Sequence, residues 1–298
     1  MSAGRNFISG EELTPDELGA LLQRADELKA GRDRGEGSSA LAGRTVALFF
    51  EKPSTRTRVS FQVGVAELGG NPLPLRQDEM QLGRGESIGD TARVLSRFVH
   101  CVAIRSGSDA TVDEFAEAAE VPVINMLTPS HHPCQAIADL QTLRERFGRL
   151  EGLKVAYVGD GNNVARSLAL LGRMVGVEVV VAAPEGFQLE DGVAAAQTTD
   201  PAEAARGADA IYTDVWVSMG DDEAEAESKR EALNPYRIDS ELIALAAEGA
   251  IALHCLPAHP GEEITAEVLY GKQSAVFDQA ENRLHAQKAL MELLLNPS

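Results

Sequence analysis

Ser54, Thr55, Arg56, Thr57 and Arg58 stand together directly behind an apolar run, Thr45 to Phe50. The run reads as a buried strand. Phe61, Val65 and Leu68 follow at i, i+4 and i+7, one face of a helix that Gly69-Gly70 stops. Three hydroxyls and two guanidinium groups therefore sit where a strand hands over to a helix. Free N–H groups at a helix N-terminus favour an anion, and arginine adds a planar fork of donors that matches phosphate. The chemistry on offer is phosphate capture. The same residues also fit a plain helix cap with a surface arginine pair.

Other polar groups fall at comparable places. Arg105 ends an apolar run, and His132 to Gln135 follow another. Asn162 and Asn163, Asp214 and Ser218, and His254-Cys255 follow strand-like runs in the second half. In open α/β sheets, ligands bind beyond the carboxyl ends of the strands, so all six groups are expected on sheet edges that can face one cleft. Each has an ordinary alternative. His132 can cap or pack, Cys255 can be a small buried apolar residue, and Asp214 can cap a turn. Gly159-Asp160-Gly161-Asn162-Asn163 resembles a dinucleotide loop, but Val164 stands where the third glycine of that fingerprint belongs.

The elements that must position these groups alternate. Thr14-Pro15-Asp16-Glu17 opens a helix running to about Ala30, whereas residues 1–10 are polar and expected to be loosely ordered. After the phosphate helix come a strand at Pro72 to Leu75, a helix capped by Ser87, and a strand from Val102 to Arg105. Thr111 to Glu114 forms a capping box, and Val121 to Met126 reads as a strand. Pro133 opens a helix that ends at Gly148. The plan then restarts, with strands at Leu153 to Val158, Val177 to Ala182, Ala208 to Asp214 and Ala250 to Cys255. Ser218 to Arg230 is polar, acidic and poorly patterned, and is expected to be a mobile loop. Leu242 to Ala247 and Glu281 to Leu295 read as helices. The expected fold class is α/β: two similar domains, each a parallel sheet flanked by helices, with the active site in the cleft between them. The division is expected at 1–134, joined by a C-terminal helix over 279–298, and 135–278.

A chain of 298 residues that is 44% hydrophobic can hold roughly two domains. No apolar run approaches the roughly 18–20 residues of a membrane span, and the first residues lack the pattern of a secretion signal. A net charge of −19 argues against nucleic acid and anionic membranes as partners. Cys101, Cys134 and Cys255 show neither pairing nor metal spacing, so free thiols in a reducing cytosol are expected.

Ser54-Thr55-Arg56-Thr57, His132-Pro133-Cys134-Gln135, Asp214-Val215-Trp216-Val217-Ser218-Met219-Gly220 and His254-Cys255-Leu256-Pro257 together resemble the ornithine carbamoyltransferases, in order and over nearly the whole chain. The first motif is common to carbamoyltransferases. The Asp214 to Gly220 loop and the His254 to Pro257 motif are the specific parts, and aspartate carbamoyltransferases lack both.

The resemblance implies transfer of the carbamoyl group of carbamoyl phosphate to the δ-amine of L-ornithine, giving L-citrulline and phosphate in cytoplasmic arginine biosynthesis. Ser54, Thr55, Arg56 and Thr57 would hold the phosphate. Arg105, His132 and Thr57 would reach the carbamoyl oxygen. Gln135 and the backbone carbonyls of Cys255 and Leu256 would hold the carbamoyl NH2, with Arg283 returning from the last helix. Gln81 matches a position donated to a neighbouring subunit's site, in a homotrimer or a multiple of it. Asn163, Asp214, Ser218 and Met219 would bind the amino-acid end of ornithine. Cys255 would lie near the attacking amine, whose pKa a desolvating site beside Asp214 and Cys255 is expected to lower. No metal or organic cofactor is implied. A longer C-terminal helical tail would point to putrescine as acceptor, and a different second-substrate loop to acetylornithine. A nicotinamide-dependent dehydrogenase and a non-catalytic binding protein on the same fold are the remaining alternatives.

Overall fold

The computed structural model describes residues 5–52, 54–80, 85–217 and 223–296. The chain forms two compact units, Met1–Gln141 with Asn282–Ser298, and Thr142–Glu281.

In the first unit the elements run α1 (Pro15–Asp33), β1 (Thr45–Phe50), α2 (Arg56–Glu67), β2 (Asn71–Arg76), α3 (Ile88–Ser96), β3 (Cys101–Arg105), α4 (Asp109–Ala118), β4 (Val123–Leu127) and the start of α5 (Pro133–Phe147). The four strands are parallel in the order β2-β1-β3-β4. Both faces of β1 and β3 are covered, which is why they read as unbroken apolar runs. Ala47, Phe49, Val102 and Ile104 pack with Ala92, Val112 and Phe115. Val46 and Leu48, alternating to the other face, are also fully buried. Pro72 and Pro74 lack the N–H a central strand needs, and β2 lies at the edge. The chain order reverses between β1 and β3. Their register pairs Phe50 with Arg105, so the loops after both strands open at one switch point.

Local signals account for most boundaries. Thr14 and Glu17 form a reciprocal capping box on α1, and the Ser87 side chain accepts from Asp90 N to cap α3. Two expectations change. The capping box placed at Thr111 is one turn too late. Ser108 is the cap, and its side chain accepts from Thr111 N. The N-terminal segment is not loose at Phe7, which is buried and exchanges backbone hydrogen bonds with Val123 and Asn125.

The second unit completes α5 and continues with β5 (Lys154–Val158), α6 (Asn163–Met174), β6 (Glu178–Ala182), β7 (Ala196–Thr198), α7 (Pro201–Ala205), β8 (Ala210–Thr213), α8 (Glu223–Leu233), α9 (Ser240–Ile243), β9 (Ile251–His254), α10 (Ala266–Leu269) and α11 (Val276–Leu295). From Asn282 onward α11 belongs to the first unit. The second sheet is again parallel, in the order β7-β6-β5-β8-β9. It therefore reverses between β5 and β8. Ala156, Val158, Ile211 and Ala252 of its strands pack with Trp216, Leu233 and Tyr236.

The mobile loop expected over Ser218 to Arg230 is corrected. Glu223–Leu233 is helical, and residues 218–222 lie outside the described residues. The segment is rich in Ala, Glu, Lys and Arg, strong helix formers even without an apolar stripe. The helix expected over Leu242 to Ala247 is a single turn, Ser240–Ile243, capped by Asp239. The last helix begins at Val276, ahead of Glu281.

Candidate active site

One group of candidate residues lies at the reversal between β1 and β3. Thr55, at the N-cap of α2, has helical dihedrals and makes no side-chain cap hydrogen bond, and no acidic residue occupies the first turn. A plain cap would spend its hydroxyl on the helix, so the capping alternative fails at Thr55. Thr55 thus leaves the positive helix end without a cap from its own side chain. Ser54 is half-buried, Thr55, Arg56 and Arg58 are exposed, and Thr57 is buried. Glu51 braces the neighbouring loop, accepting from Ser106 Oγ at 2.6 Å and Gly107 N at 2.9 Å.

Arg283 on α11 is buried, and every side of its guanidinium is used. Nη1 donates to Gln135 Oε1 at 2.7 Å and Nη2 to Thr57 Oγ1 at 3.2 Å. With the Gln287 amide oxygen turned toward it, Nε and Nη2 also donate there at 3.1 Å, and the Gln287 nitrogen donates to Ser60 Oγ at 2.8 Å. That orientation is required because a guanidinium only donates. Gln135 Nε2 in turn donates to Asp139 Oδ1 at 2.8 Å.

Arg105 ends β3 and is half-buried, and His132 is buried one residue before α5. Burial, then the Arg283 and Arg105 guanidinium groups, hold the His132 imidazole well below its ordinary pKa. It is neutral at neutral pH and offers a hydrogen bond without a charge. Cys134 donates to Asn125 O at 3.4 Å. Burial pushes both its thiol and that of Cys101 up to about 12, so neither is a nucleophile at neutral pH. Gln81 lies outside the described residues.

Another group of candidate residues lies at the reversal between β5 and β8 of the second unit. Asn162 Oδ1 caps α6, accepting from Val164 N at 3.0 Å and Ala165 N at 3.2 Å, and also from Tyr157 Oη at 3.0 Å. Its amide nitrogen donates to Asp214 Oδ2 at 2.9 Å. The other carboxylate oxygen accepts from Val215 N and Cys255 Sγ, both at 2.8 Å. Asn163, Asp214 and Cys255 are all half-buried. Ser218 and Met219 lie outside the described residues.

Cys255 and Leu256 follow β9. Leu256 has φ of 57°, a left-handed conformation that costs a non-glycine residue energy and needs support. His254 supplies it. Its Nδ1 accepts from Leu256 N at 2.8 Å, so Nε2 carries the proton and donates to Glu263 Oε1 at 3.0 Å. Both His254 and Glu263 are buried. Asp214, His254 and Cys255 bring ligand atoms within 4.8 Å of one another. Both His254 nitrogens are already committed, however, so this set does not suit a metal.

The dinucleotide alternative fits poorly. A Cβ on Gly161 would lie 2.6 Å from Phe187 O and 2.9 Å from Leu189 N. The glycine is needed for the protein's own backbone. Asn162 also fills the helix N-terminus where a pyrophosphate would sit.

Sequence reading missed Asp139, Gln287 and Glu263. Asp139 is i+4 from Gln135 on α5, and Gln287 is i+4 from Arg283 on α11, spacings that place each pair on one helix face. Glu263 carried no such local signal.

Residues 5–145 match the family profile described as aspartate/ornithine carbamoyltransferase, carbamoyl-P binding domain, and residues 151–294 match its Asp/Orn binding domain. The ornithine carbamoyltransferase of Parafrankia sp. is 53% identical, the match covering 98% of this chain and 96% of that protein. That of Acidothermus cellulolyticus is 52% identical, over 98% of this chain and 97% of that one. Among solved structures, ornithine carbamoyltransferase from Pyrococcus furiosus superimposes with a TM-score of 0.95 at 45% identity, covering 99% of this chain and 98% of that chain.

Proposed function

The chain belongs to the aspartate/ornithine carbamoyltransferase family, and from that membership we propose how its residues divide the work of one reaction. The reaction is transfer of the carbamoyl group of carbamoyl phosphate to the δ-amine of L-ornithine, giving L-citrulline and phosphate.

Ser54, Thr55, Arg56 and Thr57 hold the phosphate at the start of α2. Arg105, His132 and Thr57 donate to the carbamoyl oxygen, where negative charge grows as the amine attacks. Losing one such donor costs about 3–4 kcal/mol of barrier. The neutral state of His132 suits this role, because its N–H polarises the oxygen without surrendering a proton. Gln135 Oε1, with a second lone pair beyond its bond to Arg283, accepts from the carbamoyl NH2, and the carbonyls of Cys255 and Leu256 are assigned to the same amide. Phosphate departs still held by Arg56 and the helix N-terminus.

Asn163, Asp214, Ser218 and Met219 take the amino-acid end of ornithine. The sign of Asp214's effect decides its place. A carboxylate beside an ammonium raises that ammonium's pKa, so the lowering expected of the desolvating site beside Asp214 and Cys255 comes from the desolvation and not from the Asp214 charge. It suits the α-ammonium. The δ-amine, with a free pKa of about 10.4, must instead lose its proton through desolvation. Holding two substrates for one attack supplies roughly 7–11 kcal/mol.

The observation that carries this reading is the start of α2, uncapped at Thr55 and without acid, beside a buried arginine tied to Thr57 and Gln135. A biosynthetic role in arginine formation, a cytoplasmic location and a homotrimer in which Gln81 serves a neighbouring subunit rest on the family resemblance. Among the described residues no helix is long and apolar enough to cross a membrane. The division of labour is tested by titration calorimetry and steady-state kinetics on two variants. Arg56→Leu should lose carbamoyl phosphate binding, and Asp214→Ala should raise the KM for ornithine while sparing carbamoyl phosphate. Equal damage to both substrates in either variant would contradict the assignment.

A further inference from the structure

We propose that Asp139 is a positioning residue that makes the donor site choose a carbamoyl over an acyl phosphate, acting through the side-chain amide of Gln135. The inference rests on the assignment of Gln135 to the carbamoyl NH2 and deepens it.

Gln135 and Asp139 are one helical turn apart on α5, and both are buried. The Gln135 amide is held at both ends: Nε2 donates to Asp139 Oδ1 at 2.8 Å, and Oε1 accepts from Arg283 Nη1 at 2.7 Å. A carboxylate can only accept and a guanidinium can only donate, so the amide can stand only one way round. That way leaves an acceptor lone pair on Oε1 and spends both the position and one proton of Nε2 on Asp139. The reverse orientation would offer N–H to a substrate NH2, donor against donor.

Arg283 sets which end of the amide faces it but does not hold the nitrogen end in place. Without Asp139, Nε2 is a buried donor lacking its acceptor, and such a group turns or withdraws to find another. The amide then moves away from Arg283 and from the substrate. Asp139 also ends a line of hydrogen bonds that runs through the Gln135 amide and the Arg283 guanidinium to the Thr57 hydroxyl. Hydrogen bonds in such a chain polarise one another, which strengthens Oε1 as an acceptor. A site built to receive an N–H rejects an isostere that lacks one, because its acceptor is left unpaired. Acetyl phosphate, with a methyl in place of the NH2, is that isostere.

The test compares affinities for carbamoyl phosphate, acetyl phosphate and inorganic phosphate in the full-length wild type, Asp139→Leu, Asp139→Asn and Gln135→Leu. In Asp139→Leu the preference for carbamoyl over acetyl phosphate should fall at least tenfold, with inorganic phosphate affinity changed less than twofold. Asp139→Asn can still present an oxygen to Nε2 and should recover most of the preference. Gln135→Leu should lose the preference and serves as the control. If Gln135→Leu loses the preference while Asp139→Leu keeps it, the role of Asp139 is overturned. If Gln135→Leu keeps it too, the assignment of Gln135 fails. Should Asp139→Leu not fold, Asp139→Ser, whose hydroxyl is too short to reach the amide, is held to the same outcomes.

Discussion

Acid should loosen the helix that carries Arg283, and His285 sets the size of the effect. His285 is buried on α11, near Lys288, Lys29 and Arg32. Lys288 and Arg32 each donate to Glu67 at 2.8 Å, and Lys29 donates to Asn282 at 2.8 Å. Burial first, then the three cationic neighbours, lower the imidazole's pKa from 6.5 to about 4, against a smaller opposing pull from Glu67. Between those values the unfolded chain binds a proton that the folded chain refuses. The contribution is therefore unaffected above about pH 6.5 and is lost as pH falls toward about 4. At about 1.36 kcal/mol per unit, the full shift amounts to about 3 kcal/mol, of which about 2 kcal/mol is lost between about pH 7.5 and about pH 5. His132 acts in the same direction but is common to wild type and variant. Calorimetry at fixed protein concentration should show wild type losing about 2 kcal/mol more than His285→Gln over that interval. Tryptophan fluorescence is the wrong probe, because the single tryptophan, Trp216, lies in the second unit. Equal losses in the two proteins would show that His285 does not drive the acid sensitivity.

Two further outcomes follow from the buried polar groups. Glu263→Leu removes the acceptor of His254 Nε2, leaving a buried N–H unpaired at a cost of about 1–3 kcal/mol, and frees Leu256 from its left-handed conformation. Thermal unfolding and kcat/KM should both fall, and Glu263→Gln, which keeps an acceptor oxygen, should restore them; a Leu variant with wild-type kinetics would argue against the brace. Mass spectrometry after alkylation of the native protein at about pH 8 should find Cys101 and Cys134 unmodified, since their thiols lie at about 12. Cys255, half-buried, should be the modified residue, and ornithine should protect it. Labelling at Cys134 would count against the burial argument.

Much of this was legible because it is local. The strand before Ser54 is an apolar run, Ser87 is a cap followed by a helical stripe, and Pro133 sits at a helix start; each signal spans a few residues. Alternation gave the parallel sheets, and the polar residues expected beyond strand ends do follow β1, β3, β4, β5, β8 and β9. What escaped had competing or distant causes. At α4, Ser108 and Thr111 both resemble caps, and only the backbone dihedrals choose between them. At α8, polarity suggested mobility although the residue types favour a helix. The pairing of His254 with Glu263, and of Arg283 with Thr57, depends on tertiary packing that brings β9 to its loop and α11 to α2. The Asn162 amide shows the limit well. Sequence offered a dinucleotide loop, whereas the side chain spends its oxygen on the helix cap and its nitrogen on Asp214.

Every role assigned to these residues depends on carbamoyl transfer to the δ-amine of ornithine being the reaction catalysed. The direct test is citrulline production by the purified protein from carbamoyl phosphate, with ornithine, putrescine or acetylornithine as acceptor. Citrulline should form with ornithine, with weak or no product from the other two acceptors and loss of product in Arg56→Leu. No citrulline above background from a folded protein supplied with both substrates would contradict it.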